Sequence, residues 1–294
     1  SAVAGISALR QKTDETGLRA ELRKRMNENL SAAIVLATSR RKGSNWLRDN
    51  SGLGVTEVPD ASDPAAGFAN AIFMPTLADR QRDTLKLRAD WQPSDELSLQ
   101  ASAQSGFDRF TTPSVYGLRK SGNDQVNLDA NYALSQRWRF NANLGWANQT
   151  LRQARPGGVT LDLDNRSGSF GLGLIGKPVA KLEIGAQLAY VDDRSVHAQV
   201  ADAGTAPADA ALLAASGGLP DIVFRQAVWT LYGRYELDKR SEVRVDLVHQ
   251  RSTWTDWAWG VNGVPFSYSD GTTLSQQPRQ RVSFLGLRYI HRWP

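Results

Sequence analysis

The chain has 294 residues, a formal net charge of +5, a mean hydropathy of −0.41 and no cysteine. No apolar run approaches the ~20 residues of a membrane helix, so helical spans are excluded, as are disulfides, thiolate metal centres and haem attachment through C-x-x-C-H. The basic balance permits nucleic-acid binding, but Arg and Lys are spread over many segments rather than gathered in one helix or arm, and no nucleic-acid partner is expected.

The first alternating run has Leu18, Ala20, Leu22 and Met26 on one side and Arg19, Glu21, Arg23 and Arg25 on the other, because successive side chains of a strand point to opposite faces. A polar turn, RMNENLS, leads into Leu30, Ala32, Ile34 and Leu36. A second hairpin sets Leu85, Leu87, Ala89 and Trp91 against Leu97, Leu99, Ala101 and Ala103 across QPSDELS, with Lys86, Arg88 and Asp90 on its other face. In the third, Val126, Leu128, Ala130 and Tyr132 precede ALSQRWR; then Trp138, Phe140, Ala142, Leu144 and Trp146 alternate with Arg137, Arg139, Asn141 and Asn143. The fourth sets Phe170, Leu172 and Leu174 against Leu182, Ile184, Ala186, Leu188 and Tyr190 across KPVAKLE. The fifth sets Ala227, Trp229, Leu231 and Tyr235 against Val243, Val245 and Leu247 across ELDKRSE, with Arg234 and Arg244 on the opposite face. A last strand runs from Arg281 to Trp293.

Alternating strands suit either a soluble sandwich or a membrane barrel. The connections between hairpins, roughly residues 40–82, 107–122, 148–166, 192–224 and 252–280, are long and rich in Gly, Pro, Ser and Asp. Tight turns at one end and long loops at the other favour the barrel. Trp138 and Trp146 are separated by about 26 Å of strand at ~3.3 Å per residue, which places them at the two borders of a lipid-facing band. The predicted fold is all-β: an antiparallel transmembrane β-barrel with short periplasmic turns and long extracellular loops, in the bacterial outer membrane. About eleven strands are expected, and since single-chain bacterial barrels have even strand numbers, residues 1–294 read as the C-terminal portion of a larger barrel. Residues 1–13 would then be the end of an upstream loop or strand. The opening SAVAGISALR has neither an initiator Met nor an export leader, so any such signal is expected upstream or already removed.

Several motifs invite sharper readings. GLGLIG at 171–176 matches the dinucleotide fingerprint, but KPVAK and another strand follow where that site needs a helix. Ser167, Ser169, Gly171 and Gly173 instead share one face and predict a flat wall that a partner's backbone could approach closely. YVDDRSVHAQ places Asp192, Asp193, Ser195 and His197 at the loop end of a strand, where a barrel hydrolase would need a base beside a nucleophile; a solvated rim is the plainer reading. The three histidines are scattered without ligand spacing, with His249 and His291 in register with apolar faces. Asp162, Asp164 and Asn165 lack the full spacing of a calcium loop and read as a hydrogen-bonded turn. Pro207 opens and Gly217 closes a short predicted helix. Trp254, Trp257, Trp259, Phe266 and Tyr268 gather just beyond a strand end, as an outer aromatic girdle or a packed loop core. No catalytic, cofactor-binding or metal-binding residue is assigned.

Several stretches in this order resemble the MtrB/PioB family of decahaem-cytochrome-associated outer-membrane proteins: GLRAELRKRM, GSNWLR, FMPTLADRQRD, LRADWQPSDELSLQ, NQTLRQARPGG, KPVAKLEIGAQLAYVDDRSVHAQ, GGLPDIVFRQ, RVDLVHQRSTWTDWAWGVNGVPFSYSDGTT and FLGLRYIHRW. The resemblance covers nearly the whole chain and is to the C-terminal part of that family's barrel. It implies a non-enzymatic sheath around a multihaem c-type cytochrome that carries electrons across the outer membrane, with the haem held by the partner and none by this chain. An extracellular cytochrome at the aromatic loop residues is a further expected partner, beside outer-membrane lipid. The lumen-facing, partner-facing candidates are Arg19, Arg23, Arg25, Lys86, Arg88, Arg137, Arg139, Asn141, Asn143, Gly171, Gly173, Arg234 and Arg244. Their arginines suit haem propionates and acidic side chains. A polar lumen equally suits a porin or transporter that passes solutes.

Overall fold

The computed structural model describes residues 12–43, 75–76, 78–111, 117–155, 158–202, 204–215, 218–256, 260–261, 264–265, 267, 269, 271 and 278–293. The first two hairpins are β1 (Thr13–Arg25) with β2 (Leu30–Gly43) and β3 (Asp79–Trp91) with β4 (Leu97–Thr111). They are followed by β5 (Gly117–Ser135), β6 (Trp138–Arg155), β7 (Val159–Val179) and β8 (Leu182–Ala201). A helix, α1 (Pro207–Ala215), precedes β9 (Ile222–Glu236) and β10 (Ser241–Thr255); a ribbon of β11 (Gly260–Val261) and β12 (Val264–Pro265) and the final strand β13 (Arg279–His291) complete the chain. The order β1-β2-β3-β4-β5-β6-β7-β8-β9-β10-β13 forms one 11-stranded antiparallel meander. Its edges β1 and β13 do not pair with each other, so the described sheet is open.

The five predicted turns all join paired strands. At the last of them Asp238 accepts from the backbone N–H groups of Arg240 (2.7 Å) and Ser241 (2.8 Å), and at the first the Asn27 side chain accepts from Asn29 N–H. The aspartate at this turn is held below the usual carboxylate range, first by the Arg240 N–H and then by Ser241. Helix α1 coincides with the predicted one at Pro207; its predicted stop, Gly217, lies outside the described residues, as do residues 1–11 and Trp257, Trp259, Phe266 and Tyr268.

Register confirms the two faces. Ala130–Ala142–Leu172–Leu188–Trp229 line up across five strands on one face, flanked by Leu128, Leu144 and Phe170. These side chains stand exposed: Leu128 47%, Leu144 57%, Leu172 43% and Leu231 49%. Apolar residues left uncovered in this number, in one continuous band, need lipid as their solvent. Trp146 and the tilted ring pair Phe170–Tyr190 (centroids 5.4 Å apart) stand toward one border; Trp91, Trp138, Tyr235 and Tyr289 stand toward the turn border.

One expectation changes. Residues 107–122 and 148–166 are mostly strand, not loop: β5, β6, β7 and β8 have 19, 18, 21 and 20 residues and run well past the aromatic border. The alternation that marks a strand fades there because water meets both faces, while the backbone ladder continues. Directly opposed ions replace the apolar pairs on the outer face: Arg152 with Asp162 (2.5 Å) and Arg225 with Asp192 (2.6 Å). Asp162, Asp164 and Asn165 therefore lie within β7 rather than in a turn.

Replacing Leu172, at the centre of the apolar band, with Arg should destabilise the folded protein by about 2–4 kcal/mol. Gln187→Arg, across the strand on the polar face, should cost far less; urea unfolding in lipid vesicles measures both.

Candidate functional site

All thirteen candidate residues lie on the polar side of the structure, in strands β1, β3, β6, β7, β9 and β10 or, for Arg137, in the adjoining turn. What the structure adds is how they are engaged. Arg19 and Arg23 both bond Glu21 (2.6 and 3.3 Å), and Arg88 bonds Asp90 (2.9 Å). Arg25 donates to the carbonyls of Asn27 and Glu28 at its turn. Arg234 bonds Glu183 (3.1 Å) and Arg244 bonds Asp246 (2.7 Å). Arg137 donates to the Pro178 carbonyl (3.1 Å). Among the described residues Lys86 and Arg139 have no ion-pair partner.

Gly171 and Gly173 do not form the open flat wall that their spacing predicts. They stand directly opposite Asn143 and Asn141 in β6, whose amides fold over the space the glycines leave. A Cβ at Gly173 would sit 2.0 Å from Asn141 Oδ1, and one at Gly171 2.6 Å from Asn143 Nδ2. Side chains on one face of adjacent strands are nearest neighbours, so a glycine is filled by its cross-strand partner first. The same arrangement recurs nearby: Gly185 lies under the ring of Tyr232, whose hydroxyl donates to Glu183 (3.1 Å) and whose other face meets the Arg244 guanidinium at 4.2 Å. On the lipid face Gly176 lies under Trp138. Glu183 and Tyr232 were not apparent as site residues from sequence; their only signal is sharing a face with Arg234 and Arg244.

Beyond the aromatic border the polar face carries a cluster that the sequence pattern does not reveal. Arg82 grips Asp108, directly opposite, through two bonds of 2.6 and 2.7 Å; Ser121 adds a third at 3.1 Å. Arg80 and Ser39 both donate to Glu15 at 2.8 Å, and Arg41 donates to the Ala78 and Pro75 carbonyls. Beside them Ala78, Phe110 and Leu118 form a small apolar core with Leu151. Burial pushes the Asp108 carboxyl up, but the Arg82 bonds, the charges of Arg82 and Arg80 and the Ser121 hydroxyl outweigh it, and the net shift is downward.

The residues considered for hydrolysis separate. Asp192 points to the outer face and pairs with Arg225, whereas Asp193 and Ser195 face inward and both bond the Asn165 amide (3.0 and 2.7 Å). His249 and His291 bond Ser283 and Ser241 (2.9 Å each) and face aromatic rings on the lipid side.

A continuous lipid-facing band on one side of an antiparallel meander, and a hydrogen-bonding wall on the other, define an outer-membrane β-barrel protein. The family model described as "Putative outer membrane beta-barrel porin, MtrB/PioB" matches residues 4–293, and the chain belongs to that family. In fold it is similar to the alcaligin outer-membrane receptor FauA from Bordetella pertussis (TM-score 0.58, 12% identity, covering 96% of this chain and 39% of the receptor). It is similar also to the copper transporter OprC (TM-score 0.58, 10% identity, 96% and 42%) and to BauA, the ferric preacinetobactin receptor from Acinetobacter baumannii (TM-score 0.54, 11% identity, 96% and 44%). The chain thus spans less than half the length of these structures. Comparison with curated proteins gives no match.

Gly185→Ala should displace the rigid Tyr232 ring and cost about 1–3 kcal/mol, whereas Gly173→Ala should cost less because the Asn141 amide can swing into the lumen; urea midpoints of the two folded variants test this. Asp108 has a folded pKa below its unfolded value of about 3.9, so its stabilisation is present above that pH and is lost as pH falls through the folded value. Protection of the amides of residues 79–83 and 107–111, relative to their intrinsic exchange rates, should therefore hold at pH 5 and fall progressively as pH drops below about 3.9.

Proposed function

We propose that this barrel sheathes a multihaem c-type cytochrome in its lumen and insulates the haem chain as it crosses the outer membrane. The resemblance to the cytochrome-associated barrels supports the reading, and one structural observation carries it: the polar face satisfies most of its own charges. Pores that select ions by side-chain charge use rings of one sign. Here the cations alternate with carboxylates that hold them, and the β6–β7 wall is neutral amide lying over glycine. Such a wall offers hydrogen bonds and low relief to a folded protein without a strong field along the lumen. The haem belongs to the partner in this reading, since a chain without cysteine has no thioether attachment of its own. At the extracellular end the aromatic segment 254–268 would meet a second cytochrome. Passage of solutes, to which the family description as a porin points, is the second reading.

Purification of the full-length protein from outer membranes decides between them. A haem-staining partner that stays with the barrel through size-exclusion chromatography is the expected result; a colourless barrel that conducts ions across planar bilayers would defeat the sheath in favour of the porin.

A further inference from the structure

Against this largely self-neutralised wall one place stands out. Between the β5–β6 and β7–β8 turns, at the periplasmic end of the polar face, lies a groove of about 560 Å³ lined by Arg137, Arg139, Lys177 and Glu183, with Ser135 and Ile175 between them. Its single acid is already taken, by Arg234 at 3.1 Å and the Tyr232 hydroxyl at 3.1 Å. Its three cations have no carboxylate: Arg137 reaches only the Pro178 carbonyl, and among the described residues Arg139 and Lys177 make no ion pair. Asp95 and Glu96 line the adjoining groove that shares Arg139, and neither pairs with it. The groove below β2–β4 is different, since there Arg25 and Arg88 stand among Glu28, Asp90 and Asp129. Of these two grooves only the one between the β5–β6 and β7–β8 turns holds cations without a carboxylate.

We infer that this groove is the entry-side docking point for an acidic, carboxylate-rich segment of the lumen protein, which rests on the sheath reading and deepens it. Arg139 alternates with Trp138 and Phe140 along β6, so its guanidinium stands on the face away from lipid headgroups and toward whatever fills the lumen. Two guanidiniums and an ammonium at a wide mouth supply steering and orientation for a carboxylate-rich partner, and their attraction weakens with salt.

The test uses the full chain in detergent micelles, a fluorescein-labelled hexaglutamate peptide as probe, and heat-modifiable gel mobility to show that each variant is folded. Hexaglutamate should bind the wild type in a salt-dependent way, and R137Q/R139Q/K177Q should weaken it about tenfold, the scale of three exposed ion pairs together. K120Q/R152Q/R225Q, which removes equal charge from the outer face beyond the membrane, should change it less than twofold. Equal binding by the two triple variants would overturn the docking point. So would a triple variant that loses co-purified anionic phospholipid while peptide binding is unchanged, since the groove would then serve lipid. The two readings fail separately: a colourless wild-type barrel removes the sheath, whereas a haem-bearing barrel whose groove variant binds hexaglutamate normally removes only the docking point.

Discussion

A backbone that enters hydrocarbon must satisfy every N–H and C=O within the protein, because lipid offers no partner. In this chain one antiparallel ladder from β1 to β13 meets the constraint for every strand between its two edges, and most other features follow from it. The ladder dictates a period of two, so each strand has one face for lipid and one for the lumen. It also leaves a single layer with little interior. Among the described residues only Ala78, Phe110 and Leu118 are buried apolar side chains, while Leu18, Leu144 and Leu287 stand open to the bilayer. Stability in this architecture comes from the hydrogen-bonded ladder and from lipid, with side-chain burial contributing little.

The lumen face solves a different problem. Charged residues beside one another on a wet wall would repel, attract stray ions or impose a field, and the sheet limits this by placing acids within reach of bases. Arg19, Glu21 and Arg23 do so along one strand, and Glu183 and Arg234 across two. Glycines serve the same wall in another way, by making room for a neighbour's amide or ring to lie flat. The result is polar and shallow in relief over β6 and β7, and among the described residues a group of cations without carboxylate partners gathers at the β5–β6 and β7–β8 turns.

Outside the bilayer the same ladder meets different physics. Water on both faces removes the need for an apolar exterior, and the hairpin ends carry opposed Arg–Asp pairs outside. On the inside they carry a small core beside the Arg82–Asp108 bridge. Exposed ion pairs are each worth only about 0.2–1 kcal/mol, so the long hairpins depend on backbone pairing, with these contacts choosing the register and marking where lipid ends.

Alternation determined the strands and the two faces, because a period of two is a local property of the backbone and survives in the sequence; the five short turns set against long connections, with the tryptophan spacing, then pointed to the outer-membrane setting. By the same parity every candidate residue falls on the polar face, Arg137 through Asn143 included. The extent of β5 to β8 was not legible, since alternation disappears once both faces are wet while pairing does not. Nor was the state of the site: whether Arg244 is free or held by Asp246, or whether Gly173 is open or covered by Asn141, depends on which strand lies next door and in what register. Those neighbours are set by cross-strand pairing between residues as far apart as Glu183 and Arg234, and only the tertiary structure brings them together.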